Sequence, residues 1–254
     1  MTPNTGPAVT CQNLSVGHGG TAVLENLTFT LERATTLALA GRSGCGKTTL
    51  VKTLAGIIEP IEGEATVLGE PLPRSPRDGR VGYIPQNLGL VKHATVRRNV
   101  LHGTLADLGW TRSLVGRFSD EAEHAAQTAL ATVGLAGMGN RQVTTLSGGE
   151  RRRVAIARAF VQRPQLLLAD EMLSELDGET AHAIVRCLRS MQAETGMAVV
   201  LVEHDLEIVD SIADQLLQLD AGPADRRLDP DRSGTGHGPG PELASTSGQG
   251  HLHD

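Results

Sequence analysis

The amino-acid sequence predicts an α/β fold with a mainly parallel sheet, an antiparallel β element and a helical insert. Short, continuous apolar runs alternate with helical patterns, which is typical of a parallel sheet covered on both faces. An earlier stretch alternates apolar and polar residues around a glycine pair, which indicates antiparallel strands. Only 2% of the 254 residues are aromatic, so the core must be aliphatic.

The antiparallel element comes first, over residues 9–31, with Gly19 and Gly20 at its turn. The strands of the parallel sheet are predicted at 36–40, 81–84, 166–169 and 198–202. Helices are predicted at about 47–56, 120–133, 148–162 and 178–195. Asp120 with Glu123 is interpreted as a capping box that opens the second of these helices.

The chain is expected to form one domain over residues 9–220, with a helical insert at about 87–160. Residues 1–8 are expected to be a loose leader. In the segment 221–254, 16 of the 34 residues are Gly, Pro, Ser or Thr, so this tail is predicted to be disordered.

Charge and cysteine content exclude several classes of function. The net charge of −6 argues against nucleic-acid binding, which normally needs a basic face. Cys11, Cys45 and Cys187 are too few and too scattered for a disulfide framework or a zinc site. No apolar run approaches the roughly 20 residues that span a bilayer.

The strongest motif is Gly-Arg-Ser-Gly-Cys-Gly-Lys-Thr at 41–48, between a predicted strand and a predicted helix. It fits the phosphate-binding loop pattern, in which backbone N–H groups and the helix N-terminus surround phosphates. Lys47 is expected to reach the β- and γ-phosphates, and the Thr48 hydroxyl to bind Mg²⁺. The predicted ATP-binding residues here are Gly41, Arg42, Ser43, Gly44, Cys45, Gly46, Lys47, Thr48 and Thr49.

Two further motifs carry polar groups. The apolar run 166–169 ends in Asp170 and Glu171, where the first carboxylate is expected to hold Mg²⁺ and the second to activate water. Ser147, Gly148, Gly149 and Glu150 open a long predicted helix, which makes a second anion site. The phosphate loop already surrounds the phosphates of this chain's own nucleotide. The second anion site is therefore expected to bind the nucleotide of another molecule.

In this order the three motifs resemble those of the ATP-binding cassette (ABC) family, over about residues 9–220. The resemblance implies the P-loop NTPase fold of ABC ATPases, and ATP with Mg²⁺ as cofactor. It also identifies four further residues. Gln86 resembles the glutamine that contacts Mg²⁺, and His204 resembles the histidine that touches the γ-phosphate. Asp177 ends a stretch, residues 174–177, that resembles the loop that crosses the dimer interface. His18 is the planar ring nearest the position of the aromatic that stacks on adenine.

Some positions depart from the family pattern. Glu150 stands where Gln is common, and Met172-Leu173 replaces the usual Pro-Thr. Neither change removes a phosphate ligand, so activity is expected to survive.

The resemblance also implies the partners. Two cassettes sandwich two ATP molecules, and Ser147–Glu150 of each completes the site of the other. A second cassette, expected to be a copy of this chain, separate transmembrane permease subunits and, indirectly, a substrate-binding protein are the implied partners. The implied location is peripheral, at the cytoplasmic face of the cell membrane.

The insert suggests the cargo. Residues 99–103, 110–114 and 116–120, with Ala169 before Asp170, resemble phosphonate-importer ATPases. The predicted function is therefore ATP hydrolysis that drives uptake of phosphonate or a related oxyanion. An importer ATPase for an iron chelate or cobalamin, and an ABC switch protein without transport, remain alternatives.

Overall fold

A computed structural model describes residues 6–73, 79–106, 118–219 and 228–229. The strands are β1 (Val9–His18), β2 (Thr21–Leu31), β3 (Thr36–Ala40), β4 (Glu62–Val67), β5 (Glu70–Pro71), β6 (Val81–Ile84), β7 (Leu166–Asp170), β8 (Ala198–Val202), β9 (Gln215–Gln218) and β10 (Leu228–Asp229). The α-helices are α1 (Lys47–Leu54), α2 (Val96–Leu101), α3 (Asp120–Thr132), α4 (Gly148–Gln162), α5 (Gly178–Thr195) and α6 (Leu206–Ile212). Single 3₁₀ turns cover His102–Ala106 and Val143–Thr145.

The described strands form two sheets. The antiparallel sheet has the order β2-β1-β4-β5, and its first two strands form the hairpin expected at Gly19 and Gly20. The larger sheet has the order β10-β9-β3-β8-β7-β6, with parallel pairs from β9 through to β6. The predicted α/β class, with its antiparallel element, is confirmed.

The parallel sheet is covered on both faces. Leu166 and Leu168 of β7 pack with α1 and the antiparallel sheet, whereas Leu167 and Ala169 pack with α4, α5 and the insert helices. Successive strand residues point to opposite faces, so a strand between two layers must be apolar at every position. This requirement explains the unbroken apolar runs.

The C-terminal ends of the parallel strands meet at one edge. The phosphate loop 41–46 follows β3, and Gln86 follows β6 after one residue. Asp170 ends β7, and His204 follows β8. Residues far apart in sequence are thereby gathered at the edge where open α/β sheets bind ligands.

One local prediction is wrong. Helix α3 begins at Asp120, but its N-cap is Ser119, whose hydroxyl accepts from the N–H of Ala122. The Ser hydroxyl is already in place one residue earlier, so Asp120 and Glu123 lie inside the first turn. Their negative charges in the first turn still stabilise the helix, because the N-terminal end of the helix dipole is positive.

The ends of the chain and the insert are described only in part. Within the predicted tail, Leu228–Asp229 pairs antiparallel with β9, which differs from the expectation of a wholly irregular segment. The expected leader residues 1–5, the motif 110–114, Gly116 and most of the tail lie outside the described residues. No helix in the described part is long and apolar enough to cross a membrane.

Candidate functional site

The phosphate loop has the backbone shape that its glycines predict. Gly46 is the N-cap of α1 and has φ of 104°, a left-handed conformation that side chains rarely adopt. A Cβ atom at this position would lie 2.8 Å from Leu24 Cγ, so the close approach of β2 also requires glycine. The loop therefore presents the free N–H groups at the start of α1 to the sheet edge.

Lys47 is buried in the fold of this loop. Its Nζ donates to the carbonyl oxygens of Gly41 (2.6 Å) and Arg42 (3.0 Å). These bonds hold the ammonium group at the centre of the loop, where a phosphate oxygen can replace a carbonyl partner.

The two adjacent carboxylates have different surroundings. Asp170 is 1% exposed, and its Oδ2 atom is buried with no hydrogen-bond partner. Burial raises its pKa, opposed by a hydrogen bond with the Thr48 side chain. The Glu171 carboxylate instead lies at the cavity and has partners on both oxygens. The two carboxylates therefore have different environments, and their expected roles in Mg²⁺ binding and water activation stay predictions.

Glu171 is held between two of the four residues that the family resemblance identified. Gln86 Nε2 donates to Glu171 Oε2 at 2.9 Å, and His204 Nε2 lies 3.0 Å from Oε1. The backbone of Glu171 has φ of 56°, and its N–H donates to the Val202 carbonyl at 2.9 Å. Three strand ends thus place one carboxylate beside the phosphate loop.

These groups surround a cavity of about 400 Å³. It is lined by His18, Val23, Ser43, Gly44, Gly46, Lys47, Thr48, Thr49, Gln86, Glu171, Val202 and His204. Most of the residues that the sequence predicted to bind the nucleotide therefore line the same cavity.

The donor set fits a Mg²⁺ ion, which prefers oxygen ligands in an octahedral arrangement. Thr48 offers a hydroxyl, Asp170 an unpartnered buried carboxylate oxygen, and Gln86 an amide oxygen, since its Nε2 is used by Glu171. An orphaned buried carboxylate oxygen costs free energy that a bound cation would recover.

His18 lies at the rim of this cavity, at the end of β1. Its Nε2 is 3.3 Å from Thr49 Oγ1 on α1, which orients the exposed ring next to the phosphate loop. The position suits a ring that stacks on an adenine base.

Replacing His18 by Ala is expected to weaken ATP binding by about 2- to 13-fold, because aromatic stacking contributes roughly 0.5–1.5 kcal/mol. His18→Tyr is expected to bind at least as tightly as the wild type. Titration with a fluorescent ATP analogue measures both, and the exposed His124→Ala on α3 is the control. Equal affinity in His18→Ala and the control would show that the ring does not stack.

The signature residues, Ser147, Gly148, Gly149 and Glu150, open α4 as predicted. Ser147 is the N-cap, and with Glu150 it forms a capping box, at 3.1 Å and 2.7 Å. The hydrogen bonds from Ser147 lower the pKa of Glu150. The Ser-x-x-Glu spacing could have predicted this box from the sequence. None of the four residues lines the described cavity, so their N–H groups do not serve it within one chain.

Asp177 is placed as the N-cap of α5. Its carboxylate accepts from the N–H and the hydroxyl of Thr180, at 2.9 Å and 2.8 Å. These hydrogen bonds lower the pKa of Asp177. Its side chain caps the helix and does not line the cavity.

Sequence reasoning missed a buried charged group behind the site. Glu203 is buried, and burial raises its pKa to about 7, although its carboxylate accepts from the Leu173 N–H at 2.7 Å and faces Arg152. Arg152 donates to the Glu171 carbonyl and lies 3.4 Å from Glu175 Oε2. Arg152 is the middle one of three consecutive arginines. It is buried because its position on α4 lies on the face of the helix that packs against the core.

Comparisons with known proteins agree with this geometry. The ABC transporter family profile matches residues 24–174. The chain is 36% identical over 216 residues to an Fe(3+) ions import ATP-binding protein of Brucella melitensis, covering 85% of the chain and 59% of that relative. It is 35% identical over 209 residues to a phosphonates import ATP-binding protein of Alcaligenes faecalis, covering 80% of the chain and 76% of the relative.

A solved dimeric bacterial ABC transporter cassette superposes with a TM-score of 0.74 at 25% identity, covering 84% of this chain and 94% of that one. The same cassette in a post-hydrolysis state, bound to ADP and phosphate, gives 0.73 with the same coverage. The chain spans 59% of the length of the iron-import relatives and 76–82% of the length of the phosphonate-import relatives that it matches.

Proposed function

The chain belongs to the ABC transporter family as one of its ATPase domains, and from that premise we propose that it hydrolyses ATP to drive an importer. The observation that carries this proposal is the Glu171 carboxylate, held by Gln86 and His204 beside the phosphate loop. A carboxylate fixed in this way can orient a water molecule and accept its proton.

The polar residues in and next to the cavity have proposed roles. The loop 41–48 binds the phosphates, Lys47 neutralises charge on the β- and γ-phosphates, and His18 stacks on adenine. Thr48, Gln86 and Asp170 would hold Mg²⁺, which supplies charge neutralisation for the transferred phosphoryl group. Glu171 is the general base, and His204, 3.0 Å from it, orients that base. His204 would also contact the γ-phosphate of bound ATP.

The proposed working unit is a dimer of cassettes, expected to be two copies of this chain. The signature residues do not line the nucleotide cavity described above, which supports a role at the partner's nucleotide. Asp177 would lie at this interface. We propose the cassette to be residues 9–220, docked on transmembrane permease subunits at the cytoplasmic face of the membrane, with a substrate-binding protein as an indirect partner.

The proposed cargo is phosphonate or a related oxyanion. The phosphonate-import relative of Alcaligenes faecalis supports it, since it matches over 76% of its length. Ferric iron is the second candidate, because the iron-import relative of Brucella melitensis is equally similar over the shared region. Both candidates follow from the similarity to these importer relatives.

An uptake measurement tests the cargo. A deletion strain of the source organism receives the wild-type or the Glu171→Gln gene on a plasmid, and uptake of labelled methylphosphonate and labelled ferric iron is followed. We expect deletion to abolish phosphonate uptake and only the wild-type gene to restore it.

The other outcomes are equally informative. Loss and rescue of iron uptake alone would overturn the phosphonate assignment in favour of iron. If neither uptake changes, both cargoes are excluded, and cobalamin uptake and a function without transport become the next candidates to measure.

A further inference from the structure

The loop 171–177, between β7 and α5, has an unusual backbone. Glu171 has φ of 56° and Glu175 has φ of 63°. Non-glycine residues occupy this left-handed region at a cost in free energy, and they stay there only where surrounding contacts require it. Glu171 and Glu175 thus need contacts that stabilise their backbone conformations.

Arg152 contacts both of these residues. One terminal nitrogen of its guanidinium donates to the Glu171 carbonyl, and the other lies 3.4 Å from Glu175 Oε2. The Arg152 side chain is only 7% exposed, whereas that of Glu175 is 69% exposed. A single buried cation therefore connects the two left-handed positions.

Other contacts fix the same loop from its inner side. The Ser174 hydroxyl donates to the Glu171 carbonyl at 3.0 Å, and Glu203 accepts from the Leu173 N–H at 2.7 Å. Arg152 also faces the Glu203 carboxylate. These groups form a polar cluster directly behind the general base.

Packing alone does not explain an arginine at this point. Its Nε is buried without a hydrogen-bond partner, and burial of a guanidinium is more costly than burial of an apolar side chain of similar size. The one hydrogen bond and the one ion pair that Arg152 does form both go to the left-handed residues. The geometry therefore indicates a role in setting the loop.

We propose that Arg152 is a positioning residue for ATP hydrolysis, which holds Glu171 and Glu175 in their left-handed conformations and ties them to helix α4. The proposal rests on the proposed ATPase function. It adds a physical connection within one chain between the general base and the signature residues.

That connection is short. Arg152 follows Glu150 by two residues on α4, and a Cβ atom on Gly148 would lie 3.4 Å from Glu175 Oε2. A movement of the first turn of α4, such as contact with a partner's nucleotide would cause, reaches the Glu171 carbonyl through one side chain.

The test compares kcat with ATP affinity in full-length Arg152→Gln. We expect kcat to fall by about 10- to 100-fold, the range for loss of one charge-assisted hydrogen bond. The dissociation constant for ATP is expected to stay within about twofold, because Arg152 does not line the cavity. Arg152→Lys, which retains the charge but not the two-pronged geometry, is expected to recover part of kcat.

Controls separate positioning from general stability. Arg186→Gln, at an exposed position on α5, is expected to behave as the wild type. If Arg152→Gln does not fold, the exposed Glu175→Gln decides the matter: we expect a lower kcat with unchanged ATP affinity. Where both variants fold, Glu175→Gln should lower kcat no further when it is combined with Arg152→Gln.

Unchanged kcat in Arg152→Gln would overturn the inference. A lower kcat accompanied by a similar fold loss of ATP affinity and by a lower melting temperature would also overturn it. If Arg152→Gln does not fold, unchanged kcat in Glu175→Gln overturns it. Absence of hydrolysis in the wild-type chain, together with its transporter subunits, would instead contradict the proposed function.

Discussion

Replacing Glu171 by Gln is expected to leave ATP binding intact and to lower the hydrolysis rate by about 10²- to 10⁴-fold, the usual contribution of a general base. Gln has nearly the same shape, and its amide oxygen can still accept one of the hydrogen bonds from Gln86 or His204. It cannot accept a proton from water. Phosphate release gives the rate, and a filter-binding assay with labelled ATP gives the affinity.

The same variant is expected to accumulate as an ATP-bound dimer, because closure precedes the step that is blocked. Size-exclusion chromatography with ATP detects this species. Glu64→Gln, at an exposed position on β4, is the matched control and is expected to hydrolyse ATP normally. Wild-type hydrolysis by Glu171→Gln would remove Glu171 from the role of general base.

Lys47→Ala is expected to abolish measurable ATP binding. A hydrogen bond to a charged group contributes roughly 1.5–3 kcal/mol, so loss of contacts to two phosphate oxygens lowers affinity by more than about 100-fold. The substitution also leaves the carbonyls of Gly41 and Arg42 without their donor. Equilibrium titration with a fluorescent ATP analogue gives the affinity directly.

Lys92→Ala provides the control, because Lys92 is exposed and the chain has only three lysines. Circular dichroism and thermal unfolding should show that Lys47→Ala is still folded. Near-normal ATP affinity in folded Lys47→Ala would contradict the assignment of residues 41–48 as the phosphate loop.

The periodicity of the sequence predicted most of the parallel sheet and its helices. The runs at 36–40, 81–84 and 198–202 are strands with those bounds, because strands covered on both faces must be apolar throughout. Strands β4, β5, β9 and β10 were not predicted. The first half of β4 and all of β5 are exposed, β9 begins and ends with Gln, and β10 has only two residues, so no continuous apolar run marks them.

The sequence alone predicted those residues of the candidate site that belong to a local motif. The phosphate loop and the strand-end carboxylates are contiguous in sequence, and their chemistry follows from their spacing. Gln86, His204 and His18 carry no such local signal and were sought by resemblance. The structure brings all three to the cavity, since their strands end at the same edge or beside it.

Composition and local patterns thus determined that this is an aliphatic α/β domain with a phosphate loop and a carboxylate pair. Only the tertiary structure decided which groups meet: Glu171 between Gln86 and His204, and Arg152 across the loop 171–177. These contacts join residues 19 to 85 positions apart. No local pattern encodes such pairs, because they depend on strand order and on the rotation of α4, which packing of the whole core sets.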